Sequence, residues 1–200
     1  RRTTGNKTVR EGCGKMHLHQ EKLYTIEDIY ALPEGTRAEL IDGKIYYMAP
    51  SNRKHQRIVL ALCRIIADYI DSKHGDCEVN VVPFSVHLDE KSTIYVEPDL
   101  SVVCDKHKLN DKGCFGAPDW IIEVVSTGSR RMDYFTKLFK YRTAGVREYW
   151  IVDPENKAVQ VFLQNGGGLL RLCEDYGRED VAKVNVLDGC FMELSKVFSE

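Results

Sequence analysis

Trp120-Ile121-Ile122-Glu123-Val124-Val125 is an apolar run of β-formers with a single acid inside it. Large residues on both sides of the alternation leave no polar face, so the run reads as a central strand buried on both faces. An ionised carboxylate at Glu123 is then costly unless a cation, a metal or several donors compensate it. Pro98-Asp99 opens a second apolar run, Leu100-Ser101-Val102-Val103. Two acids on two core strands point to a metal as the missing partner.

The 200 residues, 43% of them hydrophobic, suit one globular domain. Residues 1–22 are polar and basic (Arg1, Arg2, Lys7, Arg10, Lys15) and lack the apolar centre of a secretory leader. They are expected to form a flexible N-terminal extension, or a phosphate-binding arm, ahead of a domain over residues 23–200. The formal charge of −2 excludes a diffuse cationic surface but leaves room for a local basic groove. No apolar run approaches the roughly 18 residues of a membrane span, so a soluble protein with no membrane partner is expected. Seven scattered cysteines without a Cys-x-x-Cys pair fit free thiols in a reduced, cytoplasmic protein.

Thr25 to Leu32 reads as a short helix capped by Thr25 with Asp28 three residues on. Asp42-Gly43 between apolar runs signals a tight hairpin over residues 37–48. Ser51 is placed to cap a long helix over about 52–73, with Ile58, Leu62, Ile65, Ile66, Tyr69 and Ile70 at helical spacing. Strands are expected over 77–88, 96–103, 148–152, 159–163, 169–173 and 181–187, with a loop over 105–117. A second helix should run from about Arg130 to Ala144, stopped by Gly145. Together these give an α/β (α+β) domain with one mixed central sheet of seven or more strands flanked by helices.

Asp119 shares a strand face with Glu123 but lies about 13 Å away at roughly 3.3 Å per residue, too far to share an ion. Asp99 belongs to another strand, and neighbouring strands lie about 4.8 Å apart, so Asp99 and Glu123 can face each other. Two carboxylates plus water make a hard oxygen site for Mg²⁺ or Mn²⁺, which suits phosphate-ester hydrolysis. The alternatives are that Asp99 merely starts a strand at a solvent edge and that Glu123 pairs with a buried Arg or Lys.

A Pro-Asp on one strand and an acid on the next resembles the PD-(D/E)xK nuclease superfamily, although the usual strand lysine is Val125 here. Glu39-Leu40-Ile41-Asp42-Gly43-Lys44-Ile45, Met48-Ala49-Pro50, His55, Glu97-Pro98-Asp99-Leu100, Ala117-Pro118-Asp119, Glu123-Val124-Val125-Ser126 and Ala144-Gly145-Val146-Arg147-Glu148-Tyr149-Trp150-Ile151-Val152-Asp153-Pro154 follow in order. Over residues 23–198 this series resembles the Uma-type restriction-endonuclease family. The resemblance implies a restriction-endonuclease-like fold and a DNA substrate. Ser126-Thr127-Gly128-Ser129 departs from the family's Ser-Pro-Ser-Thr.

The resemblance also implies that the following helix supplies the lysine, as Lys137, within the stripe Asp133, Lys137, Tyr141. Met132, Phe135 and Phe139 would then face the core. Otherwise Asp133 and Lys137 are a solvated i,i+4 pair. Asp99, Glu123 and Lys137 are thus the candidate catalytic residues, with Asp99 and Glu123 as metal ligands. Glu39, His55 and Tyr141 are additional candidates. Glu39 has a rival role pairing with an Arg, and His55 one as an exposed helix residue.

Arg53, Lys54, Arg130 and Arg131 sit at helix starts, where free N–H groups and cations suit phosphates. No sequence-reading module is visible, so site choice would need a homodimer or a partner. A metal-dependent endonuclease is the leading expectation. A catalytically silent nucleic-acid-binding or accessory dimer is the second, and a hydrolase of smaller phosphate esters the third. The Gly166–Gly168 run lacks the Lys-Ser/Thr of a phosphate loop and reads as a hairpin turn.

Overall fold

The structure is a computed structural model that describes residues 22–166 and 168–199. The expected extension, its basic residues and most of its arm therefore lie outside the described residues, as does Gly167 of the glycine run.

Helix α1 (Ile26–Tyr30) opens the domain, with the Asp28 carboxylate accepting from the Thr25 N–H at 2.8 Å. β1 (Ala38–Ile41) and β2 (Lys44–Tyr47) form the expected hairpin. Asp42 and Gly43 at its tip both take positive φ (52° and 74°), the geometry that matches strand twist in a two-residue turn. Helix α2 (Arg53–Ser72) follows. Its cap is Asn52 rather than Ser51, with the Asn52 side chain accepting from His55 N at 2.9 Å.

Two expected strands are each divided by a proline. Residues 77–88 give β3 (Glu78–Val81) and β4 (Val86–His87), with Pro83 between them. The expected strand over 96–103 takes in the end of β5 (Ile94–Val96) and β6 (Leu100–Val103), with Pro98 between them. Proline cannot donate to a ladder, so each run leaves one sheet there and enters another. The expected loop over 105–117 holds a 3₁₀ turn (Lys106–Lys108) and the small hairpin β7 (Leu109–Asn110) and β8 (Gly113–Phe115).

β9 (Trp120–Val124) is the apolar run, buried throughout as expected. A π-helical segment (Met132–Lys137) continues into α3 (Leu138–Ala144), which ends at Gly145 with φ 96°. β10 (Glu148–Asp153), β11 (Ala158–Gln164), β12 (Leu170–Gly177), β13 (Val181–Lys183), β14 (Phe191–Glu193) and α4 (Leu194–Val197) complete the domain.

Among the described residues the mixed sheet runs β12-β11-β10-β9-β6-β3, parallel only between β9 and β10. A second six-stranded sheet, β2-β1-β5-β4-β8-β7, shares no strand with it, a division the alternation alone did not reveal. Side-chain alternation gives β9 two different neighbourhoods. Trp120, Ile122 and Val124 pack with Ile58, Leu62 and Ile66 of α2. Ile121 and Val125 pack with Tyr141 of α3 and with Ile41, Val86 and Val96 from the second sheet. Glu123 shares their parity, so it points into the layer between the mixed sheet and α3.

The cysteines need a correction. Cys77 and Cys104 form a disulfide, whereas free thiols were expected throughout; Cys63, Cys114, Cys173 and Cys190 are free. The β3–β6 register explains the pairing: Glu78 opposes Val103, and one further step brings Cys77 opposite Cys104.

Candidate active site

Leu100 pairs with Ile122 across β6 and β9, and extending that antiparallel register by one step sets Asp99 opposite Glu123. Each carboxylate reaches the other strand's backbone. Asp99 Oδ2 accepts from Val124 N at 2.8 Å, and Glu123 Oε2 lies 3.5 Å from Asp99 N. Asp99 is therefore buried against its neighbour strand and does not merely begin a strand at a solvent edge.

Lys137 returns from the π-helical segment to this pair. Its Nζ donates to Glu123 Oε1 at 3.0 Å and to Glu39 Oε1 at 2.8 Å, and Asp133 Oδ1 lies 3.8 Å away. Tyr141 OH donates to the same Glu123 oxygen at 2.7 Å. Glu39 thus partners a lysine rather than an arginine, and it also accepts from Glu97 N at 3.0 Å. Arg37, on the same hairpin, instead grips Glu97 at 2.8 Å.

Of the three apolar residues expected to face the core, Met132 packs against it, but Phe135 and Phe139 point the opposite way. Asp133, Lys137 and Tyr141 are buried, whereas Phe135 and Phe139 are 72% and 51% exposed. Burial of the stripe follows from its ion pairs: three acids from β1, β9 and the helix itself surround one ammonium. The wide turn helps to align the stripe. In an α-helix each i,i+4 step leads by about 40°, while a π turn holds more residues and lags, so the two steps offset each other. Tyr149 OH donates to the Asp133 carbonyl at 3.1 Å, tying this turn to β10.

His55, in the first turn of α2, is buried rather than exposed, and its Nε2 lies 3.1 Å from Asp99 Oδ2. Its Nδ1 has no hydrogen-bond partner. Asp133, a member of the expected stripe but not of the expected site, is buried, and its Oδ1 accepts no hydrogen bond. The four-residue spacing of the stripe was its one sequence signal.

The electrostatics follow from burial and crowding. Burial pushes Glu123 up to about 8, Lys137 opposes this, and Asp133, Asp99 and Glu39 add to it. Burial likewise lifts Asp133 to about 6, against the pull of Lys137. Burial disfavours the Lys137 charge, but Glu123, Glu39 and Asp133 outweigh it and hold the ammonium well above its ordinary range. Burial also opposes charge on His55, yet the Asp99 hydrogen bond and charge raise its pKa overall. Tyr141 is raised by burial and by Glu123, so its hydroxyl stays a donor. Among the described residues no group of three or more His, Cys, Asp or Glu side chains is arranged to hold a metal.

The cationic candidates lie outside this cluster. Arg53 and Arg131 are exposed, Lys54 pairs with Glu155 at 3.1 Å, and Arg130 pairs with Asp153 at 2.9 Å. Asp119 takes the structural role expected of a strand entry, accepting from Cys104 N and from Arg147 at 2.8 and 3.0 Å.

A mixed sheet with an acid on each of two adjoining strands, backed by a helix that turns a lysine towards them, has the restriction-endonuclease-like fold. A crystal structure described as "a putative nuclease belonging to DUF820" from Anabaena variabilis shares it, with a TM-score of 0.71 over 88% of this chain and 97% of that one. The two are 18% identical, so the likeness is one of fold. The chain belongs to the Uma2 family, described as "Putative restriction endonuclease", whose profile matches residues 26–195. Two Synechocystis relatives, slr1290 and sll1609, are each described as "Uncharacterized protein". They are 24% and 28% identical over 131 and 121 residues, or 65% and 58% of this chain and 67% and 66% of their own lengths. No helix among the described residues is long and apolar enough to cross a membrane.

Proposed function

We propose that this chain is a metal-dependent endonuclease that hydrolyses DNA phosphodiester bonds, with Asp99 and Glu123 as the metal ligands and Lys137 as the catalytic cation. The observation that supports this most is the 3.0 Å contact of Lys137 with Glu123. It puts a lysine from the next helix beside the strand acid, in the role that Val125 cannot fill.

The donor set fits a hard divalent ion. Glu39, Asp99, Glu123 and Asp133 bring four buried carboxylates to a layer in which Lys137 is the one buried lysine among the described residues. The contacts of the Asp99 carboxylate with Val124 N at 2.8 Å and His55 Nε2 at 3.1 Å both fall on Oδ2, so Oδ1 is the oxygen this acid would offer an ion. Mg²⁺ commonly takes one or two carboxylates and keeps several waters, which suits a pair rather than a larger cage. When bound there, such an ion supplies Lewis acidity and charge neutralisation at the scissile phosphate.

The protein's own groups have distinct tasks in this proposal. Lys137 is held protonated, which suits stabilising negative charge on the phosphoryl oxygens rather than removing a proton. Glu39 and Tyr141 position Lys137 and Glu123. His55 orients Asp99 through its 3.1 Å contact. Arg53, Lys54, Arg130 and Arg131 contribute phosphate contacts, and two copies act together to address both strands of a duplex.

The test is cleavage of plasmid and single-stranded DNA with Mg²⁺ or Mn²⁺, comparing wild type with Glu123→Ala. Cleavage that disappears in the variant supports the proposal; equal cleavage by both overturns it. A second reading, a nucleic-acid-binding regulator that does not cut, gains support from the burial of Asp99, Glu123 and Lys137. Binding without cleavage by either protein would favour it.

A further inference from the structure

We propose that the outer face of the helix carrying Lys137 binds unpaired nucleic-acid bases, stacking them on Phe135 and Phe139. This deepens the nuclease reading and rests on it for the class of partner. Phe135 has the highest exposure of the large apolar side chains of the described residues, 72%, and Phe139 is 51% exposed. They are four residues apart and so form one stripe, separated by about 6 Å along the axis. Packing within the chain gives no account of them.

Their surroundings are cationic. Arg131 precedes Phe135 by four residues and is exposed. Arg142 follows Phe139 by three, and its guanidinium carbon lies 5.0 Å from the Phe139 ring centroid. Lys140 lies 5.6 Å from the same ring. Between Arg130 and Ala144 the one acidic residue is Asp133, and it is turned inward and buried. Lys140 is paired with the Asp42 carboxylate of the β1–β2 turn at 2.6 Å, so the outward face offers aromatic rings and the positive charge of Arg131 and Arg142, in a chain whose formal charge is −2.

That combination matches a single strand. Every base has a π-face, so phenyl rings stack with little regard for sequence, while flanking arginines meet the phosphates. A paired duplex keeps its base faces inside the stack and cannot present them to two phenyl rings. The face lies on the outer side of the element that brings Lys137 to Glu123, about one helix diameter, roughly 10–12 Å, from the proposed cleavage site.

Binding of the full chain to a labelled single-stranded oligonucleotide and to a hairpin duplex, measured by fluorescence anisotropy without divalent metal, tests this. Phe135→Ser with Phe139→Ser should weaken single-strand binding about tenfold or more and duplex binding far less. Arg131→Gln with Arg142→Gln, a separate surface variant, should reduce the salt dependence of single-strand binding by about 1.4 in log–log slope. Unchanged circular dichroism shows that each variant is folded. Equal single-strand binding by wild type and the aromatic variant overturns the inference. So does an aromatic variant that turns a dimer into a monomer and leaves oligonucleotide binding intact, since the face would then join two copies of the chain. Cleavage is measured separately with Mg²⁺. If wild type binds single strands through the rings but never cuts, the nuclease proposal falls and the stacking surface stands.

Discussion

Lys137 is the residue on which the buried cluster depends. It contacts Glu39 and Glu123 directly and sits 3.8 Å from Asp133, so removing its charge leaves three buried carboxylates with no ammonium between them. Breaking a buried ion pair from one side typically costs about 3–5 kcal/mol. Lys137→Met should therefore lower the melting temperature by roughly 10 °C for a chain of this length. It should also abolish cleavage. A thermal scan showing an unchanged melting temperature would mean that the ammonium is not needed to hold the acids together.

Glu123 gives the site a pH dependence. Its carboxyl is raised from 4.5 to about 8, so the native chain retains a proton that the unfolded chain has lost across that window. The native state binds more protons there, and stability falls as pH rises from about 4.5 to 8. A divalent ion competes with the same proton. The increase in melting temperature on adding Mg²⁺ should thus be larger near pH 9 than near pH 6 in calorimetry, and Glu123→Gln should remove the difference. An Mg²⁺ effect independent of pH would disconnect the ion from this carboxylate.

Among the elements, the π-helical segment Met132–Lys137 decides whether Lys137 meets the strands at all. Inserting one alanine after Thr136 should keep the segment helical but carry Lys137 about 80–100° around the axis. The expected result is unchanged helical circular dichroism with cleavage reduced by more than about a hundredfold, the loss typical of a missing electrostatic donor. Retained activity would show that the wide turn is not what places the ammonium. The same element shows where sequence reasoning stops. The stripe Asp133, Lys137, Tyr141 was legible from its spacing, but the direction it faces was not. Hydrophobic periodicity assumes that polar side chains seek water, and here Glu39 and Glu123 drew them inward and left Phe135 and Phe139 outside. By contrast, β9 and the Asp42-Gly43 hairpin were legible because burial and a positive-φ turn each leave a local trace. The division of residues 94–103 between two sheets depends on tertiary partners, and only Pro98 hinted at it.

At the scale of the molecule, two sheets meet over the carboxylate layer, and the site draws on both: Glu39 comes from the second sheet, Asp99 and Glu123 from the edges of β6 and β9. The Cys77–Cys104 disulfide closes a loop with a sequence separation of 27 at the outer pair of the mixed sheet. A cross-link over such a loop contributes about 3–4 kcal/mol in the chain-entropy picture. Replacing both cysteines by serine should lower the urea midpoint accordingly while leaving Glu123-dependent cleavage in place, because the bond lies at the opposite end of β6 from Asp99. Loss of activity without loss of stability would contradict that separation. Asp99 itself is stitched into the ladder, since its carboxylate occupies the place on Val124 N that another strand's carbonyl would take. The Val124 amide is therefore a built-in gauge. Its hydrogen-exchange rate, read in the intact chain, reports how often the acid lets go of the sheet and how long the paired strands keep the two carboxylates in step.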